Sequence, residues 1–161
     1  MEFSTTIIGL VSIALISLPF VLMSKSRKDR EKQLFNSLQA IANKINSSIN
    51  EFDLGPGFAI GFTSNQQAVV FYKNKNELEV EKVISLDEIQ KCKVNSINNT
   101  TKSGNVESFV ERLELAFVPK NKRPEDLKIE LYNAKDSFQL NGEFQLALKW
   151  EELINTKLQA N

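Results

Sequence analysis

The segment GFAIGFTSNQQAVVFY, residues 57–72, decides the fold class of this chain. Its bulky apolar residues at 58–62 alternate with small ones, which is the two-residue period of a strand with one buried face. The uncharged turn at 63–67 leads into a second apolar run at 68–72. Two such runs around a short polar turn predict a β-hairpin.

Downstream of this hairpin, short apolar segments alternate with turn residues. Cys92 and Val94 alternate with lysine and asparagine, which predicts a half-buried strand. The polar stretch 98–105 predicts an exposed loop. Further strands are predicted at 78–84, 113–117 and 127–131, with a last short strand at 138–140. The hairpin and these segments together give six to seven antiparallel strands.

A helix is predicted to close the chain from about Asn141. Its apolar residues share one face, namely Leu146, Ala147, Trp150, Leu153, Ile154 and Leu158. We expect Trp150 to anchor this helix in the core, because one large aromatic side chain supplies much packing area. The predicted fold class is mainly β (α+β), with a small antiparallel barrel or bent sheet capped by the C-terminal helix.

The N-terminal residues 1–24 carry an uncharged apolar run from Phe3 to Met23. A helix of this length reaches about 30 Å, the thickness of a bilayer hydrocarbon core. Only Glu2 stands between Met1 and the run, and no small-x-small cleavage motif ends it, so we expect a retained transmembrane anchor and not a cleaved signal peptide. Membrane helices tolerate an internal proline such as Pro19.

Five basic residues follow this run at once, namely Lys25, Arg27, Lys28, Arg30 and Lys32. Because basic flanks stay on the cytoplasmic side, the cluster predicts a single-pass protein with its N-terminus outside and its C-terminal domain cytoplasmic. The plasma (inner) membrane is the expected location. The alternative role of the cluster is to bind anionic lipid headgroups, at about 1 kcal/mol per basic residue.

Residues 25–54 are predicted to be a basic juxtamembrane segment and an amphipathic linker helix. Its apolar stripe consists of Leu34, Leu38, Ile41, Ile45 and Phe52. Two alternatives would bury this stripe: it packs against the chain's own domain, or two chains self-associate through the 34–52 helix as a short coiled coil. The predicted domains are thus the anchor 1–24, the linker 25–54 and the β domain 55–161.

Composition excludes several kinds of site. The chain has 20 basic and 20 acidic residues. Five of the basic and three of the acidic residues lie in residues 1–32, so residues 33–161 carry 15 basic and 17 acidic side chains and a net charge of −2. This balance gives no electrostatic case for binding nucleic acid. The chain has no histidine, and its one cysteine, Cys92, forms neither an internal disulfide nor a structural zinc site. We expect no enzyme activity, catalytic residue, cofactor or metal, and a buried inert thiol.

Three segments resemble the pleckstrin homology (PH)-like superfold, which includes bacterial versions tethered to membranes. They are the hairpin 57–72, the segment ISLDEI at 84–89 and the closing helix with Trp150, so that the resemblance covers residues 57–160. It implies a scaffold that docks lipids, peptides or proteins. Members often bind phosphoinositides through basic residues in and after the loop between the first two strands. Here that loop is taken as 63–67, which is uncharged, so the lipid site does not carry over.

The sequence therefore predicts a non-catalytic docking or assembly module, held at the cytoplasmic face of a membrane, with an unknown protein partner. A tethered compact domain without catalytic groups is the basis of this hypothesis. The alternative is a lipid-binding or lipid-sensing module at the membrane surface, which rests on the basic cluster and on the PH-like resemblance.

Overall fold

The computed structural model describes residues 26–75, 78–101, 107–121, 127–137 and 139–160. The chain forms two compact units, residues 1–33 and 34–161. The helices and strands of the described residues are α1 (26–44), β1 (Ile49–Gly55), β2 (Phe58–Thr63), β3 (Ala68–Lys75), β4 (Leu78–Ser85), β5 (Ile89–Thr101), β6 (Glu107–Pro119), β7 (Lys128–Asn133) and α2 (Glu143–Ala160). A 3-10 turn, Leu86–Glu88, joins β4 to β5.

The strands form two antiparallel sheets: sheet A in the order β1-β2-β3-β4, and sheet B in the order β5-β6-β7. The predicted mainly β class with a C-terminal helix is confirmed. No backbone ladder joins the two sheets within the described residues, so they do not close into a barrel. The predicted hairpin is β2–β3, with Phe58 opposite Lys73 and Phe62 opposite Val69.

The main core lies between sheet A, sheet B and α2. Phe58, Ile60 and Phe62 of β2 point into it, together with buried residues of β6, β7 and α2. Trp150 is fully buried, and its ring centroid lies 4.9 Å from that of Phe62. Its indole Nε1 donates a hydrogen bond of 3.0 Å to Asp53 Oδ2. Trp150 therefore anchors α2, as the sequence predicts.

Sheet A also carries a second, smaller core on its other face. Leu38, Ile41 and Ala42 of α1 pack there against residues of β2 and β3, namely Ala59, Val70 and Tyr72. The helix approaches closely at Gly61, where a Cβ atom would lie 3.1 Å from Leu38 Cδ2. The chain's own domain, one of the two expected covers, therefore covers the stripe at Leu34, Leu38 and Ile41, whereas Ile45 and Phe52 stay 42% and 40% exposed.

The prediction of one helix through 25–54 is wrong beyond residue 44. Asn46 adopts a left-handed φ of 54°, a conformation that ends helices, and Ser47 N–H bonds back to Ala42 O. Residues 49–55 then pair with β2 as an edge strand. The apolar residues of this stretch fit a strand as well as they fit helical spacing, since short apolar runs do not separate the two.

Two further expectations change in sheet B. Residues 98–101, predicted as part of a loop, continue β5 and pair with 107–110 of β6. The short strand predicted at 138–140 does not form at Gln139 or Leu140, and Phe138 lies outside the described residues. Among the described residues no helix is both long and apolar enough to cross a membrane. The apolar run 3–23, which carries the transmembrane prediction, also lies outside them.

Candidate functional site

Side chains, and not backbone pairing, seal the outer edge of β7. Lys82 Nζ of β4 donates to the carbonyl oxygen of Lys128 at 2.5 Å, and Lys73 Nζ of β3 donates to that of Glu130 at 3.3 Å. Unpaired carbonyls at a sheet edge need such partners when water is excluded. The register places both lysines on the inner face of sheet A, where Lys82 lies opposite Phe71. Lys73 and Lys82 thus form a lysine seam that joins sheet A to sheet B.

A network of ion pairs continues from this seam across β6 and β7. Glu114, whose side chain is only 3% exposed, lies 3.5 Å from Arg112 Nη1 and 3.7 Å from Lys128 Nζ. Arg112 Nε lies 3.4 Å from Glu130 Oε2, and Lys73 Nζ lies 3.4 Å from Glu130 Oε1. A buried carboxylate is tolerated when cations and hydrogen bonds surround it. The network therefore has a structural explanation.

A small polar cleft of about 170 Å³ opens beside the seam. It is lined by Pro56, Lys73, Asn74, Leu131, Tyr132, Asn133, Asp136, Ser137 and Glu143. Glu143 is buried and accepts the N–H of Asn141, which makes it a cap at the N-terminus of α2. Ligand pockets usually enclose about 300–1,000 Å³. The cleft is small by that measure.

The outer edge of β5 is sealed for only part of its length. Asn155 of α2 accepts the N–H of Cys92 and donates to its carbonyl, both at 2.9 Å. Glu151 accepts the N–H of Val94 at 3.2 Å. The amide of Asn155 thus takes the place of a neighbouring strand at Cys92. Since α2 packs on β5 through these residues, the seal covers 92–94.

Cys92 lies beneath this seal and is fully buried. Burial raises the pKa of its thiol to about 12, and the negative charge of Glu151 acts in the same direction. The reactive thiolate is therefore disfavoured at neutral pH. The expected burial of this thiol is confirmed, and its raised pKa agrees with the prediction that it is inert.

Beyond Val94, no described residue covers the edge of β5. Ser96 and Asn98 are exposed, and Ile97 keeps 38% of its surface in contact with solvent. Phe109, which lies on the paired strand β6, is 46% exposed. Within the described residues, no group bonds to the outward backbone N–H or C=O of Ser96 or Asn98.

The predicted lipid or topology contacts belong to the N-terminal unit of the chain. Arg27, Lys28, Arg30 and Lys32 are exposed and belong to the unit 1–33, and Lys25 lies outside the described residues. Arg27 Nε donates to Glu31 Oε1 at 3.1 Å, one helical turn away. Across the described residues, no group of three histidine, cysteine or acidic side chains could hold a metal ion.

The loop used in the PH-like comparison is also reassigned. Since β1 precedes the hairpin, the first two strands are joined by Pro56 and Gly57, and Gly57 adopts a φ of 77°. Residues 64–67 join β2 to β3. Both turns are uncharged, so the correction does not restore a basic lipid site.

Sequence reasoning missed the lysine seam and the Asn155 seal. Lys73 falls in step with Val69 and Phe71 in the alternation of β3, a signal that it faces the core. Asn155 gives no comparable signal, because it follows the buried Ile154 and its partner Cys92 lies 63 residues away.

No family model, curated protein or solved structure matches the chain. Function is therefore inferred from the geometry of this domain and from the sequence that precedes it.

Proposed function

We propose that this chain is a single-pass membrane protein whose cytoplasmic domain docks a partner protein and performs no catalysis. The apolar run 3–23 and the basic residues after it support the tether and its orientation. The plasma (inner) membrane is the proposed location. We also propose a PH-like architecture, supported by the element order of the described residues, in which seven antiparallel strands precede one amphipathic helix.

The observation that carries the docking proposal is the apolar surface of α2. Phe144 and Leu148 are 38% and 45% exposed, lie about 6 Å apart along the helix, and form an apolar pair on the face next to the buried Ala147 and Trp150. Aromatic and aliphatic side chains exposed together on a helix suit the centre of a protein interface. The polar cleft, in contrast, is too small for most ligands.

Affinity capture of the full chain from membranes tests this proposal. Leu148→Asp places a charge in the apolar pair, and Gln159→Asp places the same charge at an exposed position near the end of α2. We expect a specific companion protein to be retained by the wild type and by Gln159→Asp, and to be lost from Leu148→Asp. Companions that all three chains retain equally, or repeated captures without any, would contradict the proposal.

A lipid-binding module is the second candidate, and the exposure of Arg27, Lys28, Arg30 and Lys32 favours it. Flotation of residues 33–161 with anionic liposomes separates the domain from this cluster. If the domain floats, lipid binding becomes its function. If it stays at the bottom, the cluster acts as a topology signal or as a contact of the tether alone, and the docking proposal stands.

A further inference from the structure

The β5–β6 hairpin extends past its neighbours. Each strand has 13 residues, and their pairing continues to Thr101 opposite Glu107. The ladder between β6 and β7 runs from Arg112 to Ala116. On the other side, α2 seals β5 at 92–94. The part of β5 after Val94 is therefore a strand edge that neither neighbour covers.

This open edge lacks the features that usually prevent pairing with another strand. Residues 94–101 contain no charged residue and no proline, whereas Lys91 and Lys93 stand just before them. Native proteins commonly block exposed edges with such residues. The β5–β6 ladder contains a β-bulge at Ile97 and Asn98, and the unpaired residue of this bulge, Glu111, belongs to β6. The backbone of β5 therefore keeps its regular alternation.

The backbone alternation decides which groups face outward. Cys92 and Val94 direct their backbone N–H groups away from β6, since α2 accepts both. In a strand every second residue repeats this direction, so Ser96 and Asn98 present their N–H and C=O groups at the open edge. These two residues can bond to an added strand.

We propose that the open edge of β5 pairs with the same edge of a second copy of this chain, antiparallel and with the two-fold axis at Ile97. Ser96 of one copy then bonds to Asn98 of the other, and this pair occurs twice by symmetry. The two Ile97 side chains meet as a non-hydrogen-bonded pair, the type in which side chains approach closest. Two three-stranded sheets thereby become one six-stranded sheet.

A second copy fits this edge because the register avoids repulsion. With the axis at Ile97, residues 95–99 of the two copies lie opposite each other, beyond the segment 92–94 that α2 seals, and none of them is charged, so no two like charges face each other. Phe109 pairs with Asn99, two residues beyond Ile97, and so lies on the same face of the hairpin as Ile97. The exposed apolar surface of Ile97 and Phe109 is thus brought together from both copies.

The inference goes beyond the proposed docking function and depends on neither the tether nor the apolar pair of α2. It also places self-association at β5, and not at the predicted 34–52 helix, whose Leu38 and Ile41 pack on sheet A.

Disulfide trapping of the full chain in its membrane or in detergent tests the register. Cα atoms of a non-hydrogen-bonded pair lie about 4.5 Å apart, within the range that a disulfide bridges. We expect Ile97→Cys to form a covalent dimer under mild oxidation at least tenfold faster than Val83→Cys. Val83 is a matched control, since it is 42% exposed on β4. The native Cys92 is buried in both variants. Equal rates, or no dimer with Ile97→Cys, would overturn the proposal.

Ile97→Lys provides a second test, because it sets two ammonium groups face to face at the axis. We expect sedimentation of the detergent-solubilised chain to shift from dimer to monomer in Ile97→Lys and to stay dimeric in Val83→Lys. Circular dichroism confirms that both variants fold, as substitutions at exposed sites should. A wild-type chain that is monomeric at all concentrations contradicts the inference. Leu148→Asp should leave the trapping rate unchanged, which separates this test from that of the docking surface.

Discussion

The outer edges of β7 and β5 both carry backbone groups that no neighbouring strand pairs, and different side chains bond to these groups at the two edges. At β7 the carbonyl oxygens of Lys128 and Glu130 accept from lysines of sheet A. At β5 the amide of Asn155 bonds to both backbone groups of Cys92, and coverage stops after Val94. An edge strand is thus sealed where a neighbouring element brings a side chain within reach. The uncovered part is where the molecule can accept another strand.

The largest expected effect comes from removing the anchor of the β5 seal. Trp150→Ala should lower the free energy of unfolding by about 3–5 kcal/mol, since it empties a fully buried aromatic site. It should also expose Cys92 to thiol reagents, because α2 loses its fixed position. Denaturant unfolding and thiol titration measure these effects, with Leu148→Ala as a control that changes stability by less than about 0.5 kcal/mol. Equal stability of the two variants would show that α2 is not held through Trp150.

Removing the seal itself should cost less. Asn155→Ala leaves the N–H and C=O of Cys92 without partners under the helix and should destabilise the fold by about 1–3 kcal/mol. Hydrogen exchange at the Cys92 amide should accelerate at the same time. Gln159→Ala on the same helix serves as the control. A Cys92 amide that stays equally protected in Asn155→Ala would mean that the strand edge is closed by other means.

The charged seam at β7 should respond more weakly to the loss of one lysine. Lys73→Met keeps the aliphatic stem but removes the ammonium group from Glu130, with an expected loss of about 1–2 kcal/mol. Glu130 is partly exposed and keeps Arg112 nearby, which limits the loss. Thermal unfolding measures it, with the exposed Lys135→Met as the control. If Lys73→Met lowers the free energy of unfolding by more than Asn155→Ala does, the contacts at β7 contribute more to stability than those at β5, contrary to this prediction.

The smallest expected effect is a pH dependence at the sealed half of β5. The pKa of the Cys92 thiol is raised to about 12 in the fold by burial, whereas an unfolded cysteine titrates near its ordinary value of about 8.5–9. Below that value the stability is unaffected. As the pH rises further, the unfolded state loses its proton first, so stability falls by about 1 kcal/mol by pH 9.5. Cys92→Ala should not show this loss of stability with rising pH. Denaturant unfolding of the wild-type chain and of Cys92→Ala across pH 8–10 measures the difference between them. Parallel curves for the two chains would indicate an exposed thiol.

The sequence predicts the elements whose pattern is local. The alternation at 58–62 and 68–72 indicates the β2–β3 hairpin, and the helical spacing around Trp150 indicates α2. Helix α1 was extended too far because 49–55 satisfies both periods. The polar composition of 98–101 favoured a loop, whereas its pairing with β6 makes it strand.

The two seals depend on contacts between distant parts of the chain, such as Cys92 with Asn155 and Lys73 with Glu130. One sequence holds no record of such contacts. The alternation of β3 predicts that Lys73 faces the core. Its hydrogen-bond acceptor, the carbonyl oxygen of Glu130, is known only from the position of sheet B. The open edge of β5 follows from the same geometry and was equally beyond prediction.

Hydrogen exchange of the backbone amides of β5, recorded for the full chain at low and high protein concentration, tests the central claim most directly. The amides of Cys92 and Val94 should be protected at both concentrations, because α2 seals them. The amides of Ser96 and Asn98 should exchange rapidly at low concentration and become protected at high concentration, when a second β5 covers them. Protection of all four amides at every concentration would show that the edge is already closed. Rapid exchange of Ser96 and Asn98 at every concentration would show that no second copy binds there.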